Sequence, residues 1–209
     1  MSKPKIILLG AGGHTHACID VIEQHGGYQI AGLVGMPEEM DTRHLGYAVI
    51  AMDGDLPELA RSYQYVFITV GQILTPDHRI RLYQQATALG FQVPSIIAPS
   101  AHVSGHATIG AGTIVMHGAI VNAGATVGSN CIINTRALLE HDATVEDHCH
   151  ISTGAILNGD VHIGAGSFVG SGSVIREGVT LGKRCIVGMG LSVRHSQLDN
   201  RRFLDKKKS

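Results

Sequence analysis

From Ile97 to Val193 the chain carries Ile, Leu or Val at every sixth position, seventeen positions without a break. Four residues after each of the first fifteen runs a second column of mostly small residues: Ala101, Ala107, Thr113, Ala119, Ala125, Cys131, Ala137, Ala143, Cys149, Ala155, Val161, Ser167, Ser173, Val179 and Cys185. A large apolar residue alternating with a small one at this spacing is the signature of a parallel β-helix, in which short strands wind around a triangular prism and each repeat fills one wall. Three repeats, eighteen residues, make one turn. Cys131, Cys149 and Cys185 fall in the small column at multiples of eighteen and read as small buried apolar residues.

The composition shifts near residue 95, so two domains are expected: residues 1–95, and a β-helix over 96–195 followed by a polar tail over 196–209. In the first, Lys5 to Leu9 reads as a buried strand running into the turn Gly10-Ala-Gly-Gly13, and residues 15–25 read as a helix. Strands at about 29–34 and 65–70 and a helix at about 76–89 follow, and this alternation indicates a parallel sheet. A glycine turn between strand and helix lets backbone N–H groups approach an anion at the positive helix end. Gly10, Gly12 and Gly13 only partly follow the dinucleotide fingerprint, and Gly35 and Met36 stand where an acidic residue would hold a ribose, which disfavours NAD.

Lys and Arg number 16 against 17 Asp and Glu, which excludes a polyanion-coating protein, and no nucleic acid is expected as a partner. Lys206, Lys207 and Lys208 read as a solvated end of the tail. No run reaches the roughly 18 apolar residues of a membrane span. Residues 1–5 lead directly into a strand without a long apolar stretch, so a cytoplasmic, soluble protein is expected. The spacing of the cysteines contains no CxxC pair, and no metal is expected.

A regular β-helix is mostly scaffold, so chemistry is sought where the plain repeat is decorated. Asn134-Thr-Arg-Ala-Leu-Leu-Glu-His-Asp142, then His148-Cys-His-Ile-Ser-Thr-Gly154 and Asn158-Gly159, cluster polar and ionisable groups within little more than one coil. His141 lies two places after the core residue Leu139, in the column of Gly105, Ala123, Gly159 and Glu177, and His150 lies half a coil further round.

With Ile-Asn-Thr, Glu-His-Asp, His-Ile-Ser-x-Gly-Ala and Leu-x-Gly-x-Val-x-Ile-Gly in this order, residues 3–193 resemble the sugar acyltransferases typified by sialic acid O-acetyltransferases and bacterial nucleotide-amino-sugar N-acetyltransferases. The resemblance implies an α/β Rossmann-like N-terminal domain, a left-handed parallel β-helix and a homotrimer. It implies acetyl-CoA as cosubstrate, and an amino group on a nucleotide-linked sugar of a surface-glycan pathway as acceptor. His141 would then be the general base and Asp142 its orienting carboxylate. Asn134, His150 and Gly159 would line the acetyl-CoA site, with the Gly159 N–H meeting the thioester oxygen, and Lys183 would meet the coenzyme's phosphates. Gly10, Gly12, Gly13 and His14 would contact the nucleotide-sugar. The chain departs from the family's pattern at Gly35-Met36, where uridine-sugar enzymes often carry an acidic pair and this sequence has acids only at Glu38 and Glu39, and after Arg194, where a Gly-x-Pro-Ala-Lys type segment is missing. Other readings are sialic acid O-acetylation, a trimeric zinc enzyme of the carbonic-anhydrase kind, and a non-catalytic sugar-sensing module.

Overall fold

The computed structural model describes residues 2–204, so Lys206, Lys207 and Lys208 lie outside the described residues. Two compact units are present: Met1–Gly71 with Asp77–Ile96, and Gln72–Pro76 with Ile97–Ser209. No helix among the described residues is long and apolar enough to cross a membrane.

The N-terminal unit is an α/β sandwich in which β1 (Lys5–Leu9), α1 (Gly13–His25) and β2 (Gln29–Gly35) form the expected crossover. A short hairpin of β3 (Arg43–His44) and β4 (Tyr47–Met52), the single-turn α2 (Leu56–Leu59), β5 (Tyr65–Ile68) and α3 (Asp77–Ala88) complete it. The sheet order is β3-β4-β2-β1-β5, parallel except for the β3 edge. Ile6 to Leu9 are all fully buried because the central strand is covered on both faces, which is why it reads as a continuous apolar run instead of an alternating one. The guanidinium of Arg79, also buried, donates to the carbonyls of Ile68 (2.7 Å) and Val70 (2.9 Å) and so satisfies the end of β5.

The second unit is a left-handed parallel β-helix with three walls. The first wall stacks His102–Val103, Ile120–Val121, Leu138–Leu139, Ile156–Leu157, Val174–Ile175 and Ser192–Val193; the second runs from Thr108–Ile109 to Thr180–Leu181; the third runs from Ile96–Ile97 to Arg202–Phe203. The second residue of each pair points inward, and with the small column these residues form one continuous core from Val115 to Val193. Pairing holds the eighteen-residue register, as Val121 opposite Leu139 and Leu139 opposite Leu157 show.

Polar members of the small column are satisfied within the wall. The Thr113 hydroxyl donates to Gly128 O (2.7 Å) and accepts the Cys131 N–H (2.9 Å); Ser167 bridges Gly182 O and Cys185 N in the same way, and Ser173 bridges Gly188 O and Leu191 N. Cys131 plays the same part with sulfur, between Glu146 O and the Cys149 N–H. Hydroxyl and thiol therefore interchange at one geometric position. All four cysteines are free and buried, and burial pushes the Cys18 thiol up to about 12, which makes it inert as a nucleophile.

Two features differ from the sequence reading. Residues 72–76 belong to the β-helix unit: Gln72 O accepts a hydrogen bond from His150 Nδ1 (2.6 Å), and Pro76 packs at Gly166. Residues 196–204 are not simply a polar tail, since Gln197 bridges to Leu181 and Arg202–Phe203 pair with Ile186–Val187. The coil shortens there from eighteen to sixteen residues, which takes the segment out of the six-residue count although its backbone still pairs.

Candidate active site

His141 and Asp142 form the corner between the first and second walls, in the turn joining Leu138–Leu139 to Thr144–Val145. Asp142 adopts the left-handed conformation (φ 61°), one that Asp tolerates better than most residues, and its N–H is held by Ala123 O (3.1 Å) on the preceding coil. Its carboxylate Oδ2 accepts a hydrogen bond from His141 Nδ1 at 2.9 Å, with both side chains open to solvent. That bond raises the imidazole pKa above its ordinary value against an opposing desolvation, and the negative charges of Asp142, Glu140 and Glu177 act in the same direction as the bond. With Nδ1–H committed to the carboxylate, Nε2 is the nitrogen left to accept a proton.

The ring of His141 covers Gly159, one coil further on: a Cβ built on Gly159 would stand 2.6 Å from both Cε1 and Nε2. The Gly159 N–H has no acceptor among the described residues. At four other repeats the N–H of the corresponding step is taken by a side chain, Ser129 by Asp147, Thr135 by Asn134, Ala165 by Glu146 and Lys183 by Asp199. Base nitrogen and open donor therefore sit together on one edge. Asn158, next to Gly159, lines an open groove with Val174, Arg176, Ser192, Val193 and Arg194.

Asn134, His150 and Lys183 are not on this edge. His150 stands on the third wall, buried, with Nδ1 donating to Gln72 O and Nε2 receiving the Asn134 amide at 3.0 Å; Asn134 Oδ1 is in turn committed to the Thr135 N–H. Because the Gln72 carbonyl can only accept, Nδ1 carries a proton, and Phe168 meets the ring edge-on at 5.2 Å. Lys183 lies on the edge between the second and third walls, where its N–H caps on Asp199 and its charge helps hold Glu146 ionised. Among the described residues no group of three His, Cys, Asp or Glu is placed to hold a metal ion.

In the N-terminal unit a cavity of about 150 Å³ opens at the C-terminal ends of β1, β2, β4 and β5, the crevice where α/β sheets bind ligands. Gly10, Ala11 and Gly12 line it, with Gly35, Met36, Glu39, Asp53 and His78 among its other residues; Gly13 and His14 follow on the first turn of α1. Gly10 is required by packing, because at φ 127° a Cβ would press on Val70 and Thr69. Gly12 and Gly13 face open space, and no side chain caps the start of α1. Sequence reasoning noted Glu39 as an acid beyond the end of β2 but gave it no role in the site. A 3₁₀ turn over Pro37–Glu39 brings its carboxylate back to the end of β2, where Oε2 accepts the Met36 N–H (2.8 Å) and lies over Gly35. An acid thus stands in space where the sequence shows only Gly35 and Met36; the proline after Met36 was the available signal.

The family model described as PglD N-terminal domain matches residues 5–86, and that described as hexapeptide repeat of succinyl-transferase matches residues 160–194. Among solved structures, the acetyltransferase domain of PglB from Neisseria gonorrhoeae FA1090, in complex with acetyl coenzyme A, is 31% identical with a TM-score of 0.88, over 96% of each chain. PerB from Caulobacter crescentus, in complex with CoA and GDP-perosamine, is 31% identical with a TM-score of 0.87, over 95% of this chain and 92% of that one. WeeI from Acinetobacter baumannii AYE shares the fold at 20% identity and a TM-score of 0.80. No curated protein matches the sequence.

Proposed function

The chain belongs to the family of bacterial left-handed β-helix sugar acetyltransferases, and on that premise we propose that it moves the acetyl group of acetyl-CoA to the amino group of a nucleotide-linked amino sugar. The observation that carries this reading is the His141–Asp142 pair, whose Nε2 lies over the backbone of Gly159.

In this reading His141 Nε2 removes a proton from the acceptor amine as its nitrogen attacks the thioester carbon. The Gly159 N–H stabilises the charge that develops on the thioester oxygen. As the carbon–sulfur bond breaks, the proton on Nε2 passes to the departing sulfur, leaving an amide and free CoA thiol. Asp142 keeps Nδ1 protonated and supports the imidazolium between the two transfers. Arg176 and Arg194 give the groove beside Asn158 a positive rim suited to the coenzyme. The cavity at Gly10 and Gly12 would take the nucleotide, with phosphates at the uncapped start of α1 and the ribose hydroxyls on Glu39.

A homotrimer belongs to the same proposal. On the first wall the outward row is His102, Ile120, Leu138, Ile156, Val174 and Ser192, aliphatic at its four middle positions and nowhere fully buried, whereas the equivalent row of the second wall is Thr108, Thr126, Thr144, His162 and Thr180. An aliphatic wall ending at the His141 edge is suited to packing against another copy. Such packing would also allow the Asn134–His150 pair, on another part of the prism, to contribute to a shared site. The product would serve surface-glycan assembly, with the enzyme in the cytoplasm.

The test is to offer acetyl-CoA with a panel of nucleotide-linked amino sugars and, separately, with sialic acid, and to follow release of CoA thiol. Turnover of an amino sugar is expected. Turnover of sialic acid alone would move the acceptor to a hydroxyl, and no turnover together with no acetyl-CoA binding in calorimetry would overturn the enzymatic reading.

A further inference from the structure

The corner that carries Asp142 repeats along the prism as His106, Gly124, Asp142, Asp160 and Gly178. Corners of this kind do not need glycine for their backbone: Asn130, Arg136, Asp142, His148, Asp160 and Arg184 all adopt left-handed φ between 54° and 61°. A Cβ on the corner glycines Gly154, Gly172, Gly178 or Gly190 would find nothing within 4 Å, and on Gly118 or Gly166 it would meet the next coil's Arg136 or Arg184 at 3.5 and 3.4 Å, ordinary contact distances. Gly124 is different. A Cβ there would collide with Asp142 Oδ1 and stand 3.3 Å from its Cγ.

From this we infer that Gly124 is a positioning residue for acetyl transfer: its missing side chain lets the Asp142 carboxylate lie flat against the preceding coil, with Oδ2 on His141 Nδ1. Asp142 is a short side chain on a corner fixed by its own N–H bond to Ala123 O. Few rotamers are open to it, and a side chain at position 124 removes the one that reaches the imidazole. The carboxylate then turns to solvent and Nδ1 loses its partner. Glu140 and Glu177 also act on His141, from its own coil and from beyond Gly159, but neither makes the hydrogen bond that Asp142 makes. The inference about catalysis rests on the acyl-transfer reading; the inference about the Asp142 carboxylate does not.

The experiment compares Gly124→Asn with Gly172→Asn, since Asn accepts a left-handed φ and the second position has open space. The His141 ring is titrated by NMR in the purified protein without substrate, and the pH profile of kcat/KM is measured beside it. Gly124→Asn is expected to lower the His141 pKa toward the ordinary imidazole value and to reduce kcat/KM about tenfold or more. Gly172→Asn is expected to leave both as in the parent. In an Asp142→Asn background, Gly124→Asn should change neither quantity further, within about threefold for the rate.

An unchanged titration in Gly124→Asn, or an equal shift in the Asp142→Asn background, overturns the assignment. If Gly124→Asn does not fold, Gly124→Ala is read in the same way. If neither folds while Gly172→Asn does, the glycine is structural and the assignment also fails. A shifted titration in a protein that transfers no acetyl group leaves the positioning intact and removes the acyl-transfer reading instead.

Discussion

The Nε2 atom of His141 rests over the α-carbon of Gly159, so that a methyl group at position 159 would stand 2.6 Å from it. One glycine thus does two things on the same edge: it leaves room for the imidazole and presents its N–H beside the nitrogen that accepts a proton. Gly159 does not occupy a left-handed conformation, so a side chain there meets no backbone penalty.

Gly159→Ala separates these roles. The N–H survives, but the ring must swing away from its resting place over the coil. We expect kcat/KM to fall between about tenfold and a hundredfold, as for loss of alignment at a reacting centre. The thermal midpoint should hardly move, because the displaced group is the exposed end of a flexible side chain. A variant as active as the parent would show that the resting position of the ring is irrelevant to turnover.

The pH dependence follows from the direction in which Asp142 shifts His141. A raised imidazole pKa means that the neutral base appears only at higher pH, so the acid limb of kcat/KM should lie above the ordinary histidine value. Asp142→Asn keeps the left-handed corner but removes the charge, so the limb should move to lower pH while the plateau rate falls. A pH–rate comparison of the two proteins tests both changes, and a limb that stays in place would detach Asp142 from the base.

A stability prediction concerns the hydroxyl bridges inside the prism. Thr113→Val preserves shape but leaves the Cys131 N–H without its partner in a fully buried setting. The cost should be about 1–3 kcal/mol, seen as a lower unfolding midpoint with little effect on KM for acetyl-CoA. Thr113→Ser, which retains the oxygen, should recover most of it.

The prism was legible from its period because a stacked repeat is a one-dimensional object: counting by eighteen places each residue on a wall or edge without knowledge of the rest of the chain. The same count puts His141 and Asp142 on one corner with Gly159 below, and it puts Lys183 on a different edge. Legibility failed where a contact depends on a segment outside the repeat. That Gln72 O holds His150 could not be read from either sequence neighbourhood, because the two are 78 residues apart. It also failed at residues 197–203, where the backbone continues to pair although two residues have dropped out of the coil.

Glu39 is the clearest case of a residue displaced in sequence but not in space, and it supplies the last prediction. In an α/β crevice the carboxylate at the end of the second strand suits ribose hydroxyls, which donate two hydrogen bonds in a fixed geometry. Glu39 reaches that place with Oε2 on the Met36 N–H, leaving Oε1 for a ligand. Glu39→Gln retains an oxygen for the Met36 N–H, so the 3₁₀ turn should persist, but a charged acceptor is lost. Calorimetric affinity for a nucleoside diphosphate should fall about tenfold, the scale of a hydrogen bond to a charged group. The parent protein should discriminate against the 2′,3′-dideoxy analogue, and Glu39→Gln should bind that analogue no more weakly than the parent does. Equal losses for both ligands in the variant would mean that Glu39 acts on the fold of the cavity and not on the ribose.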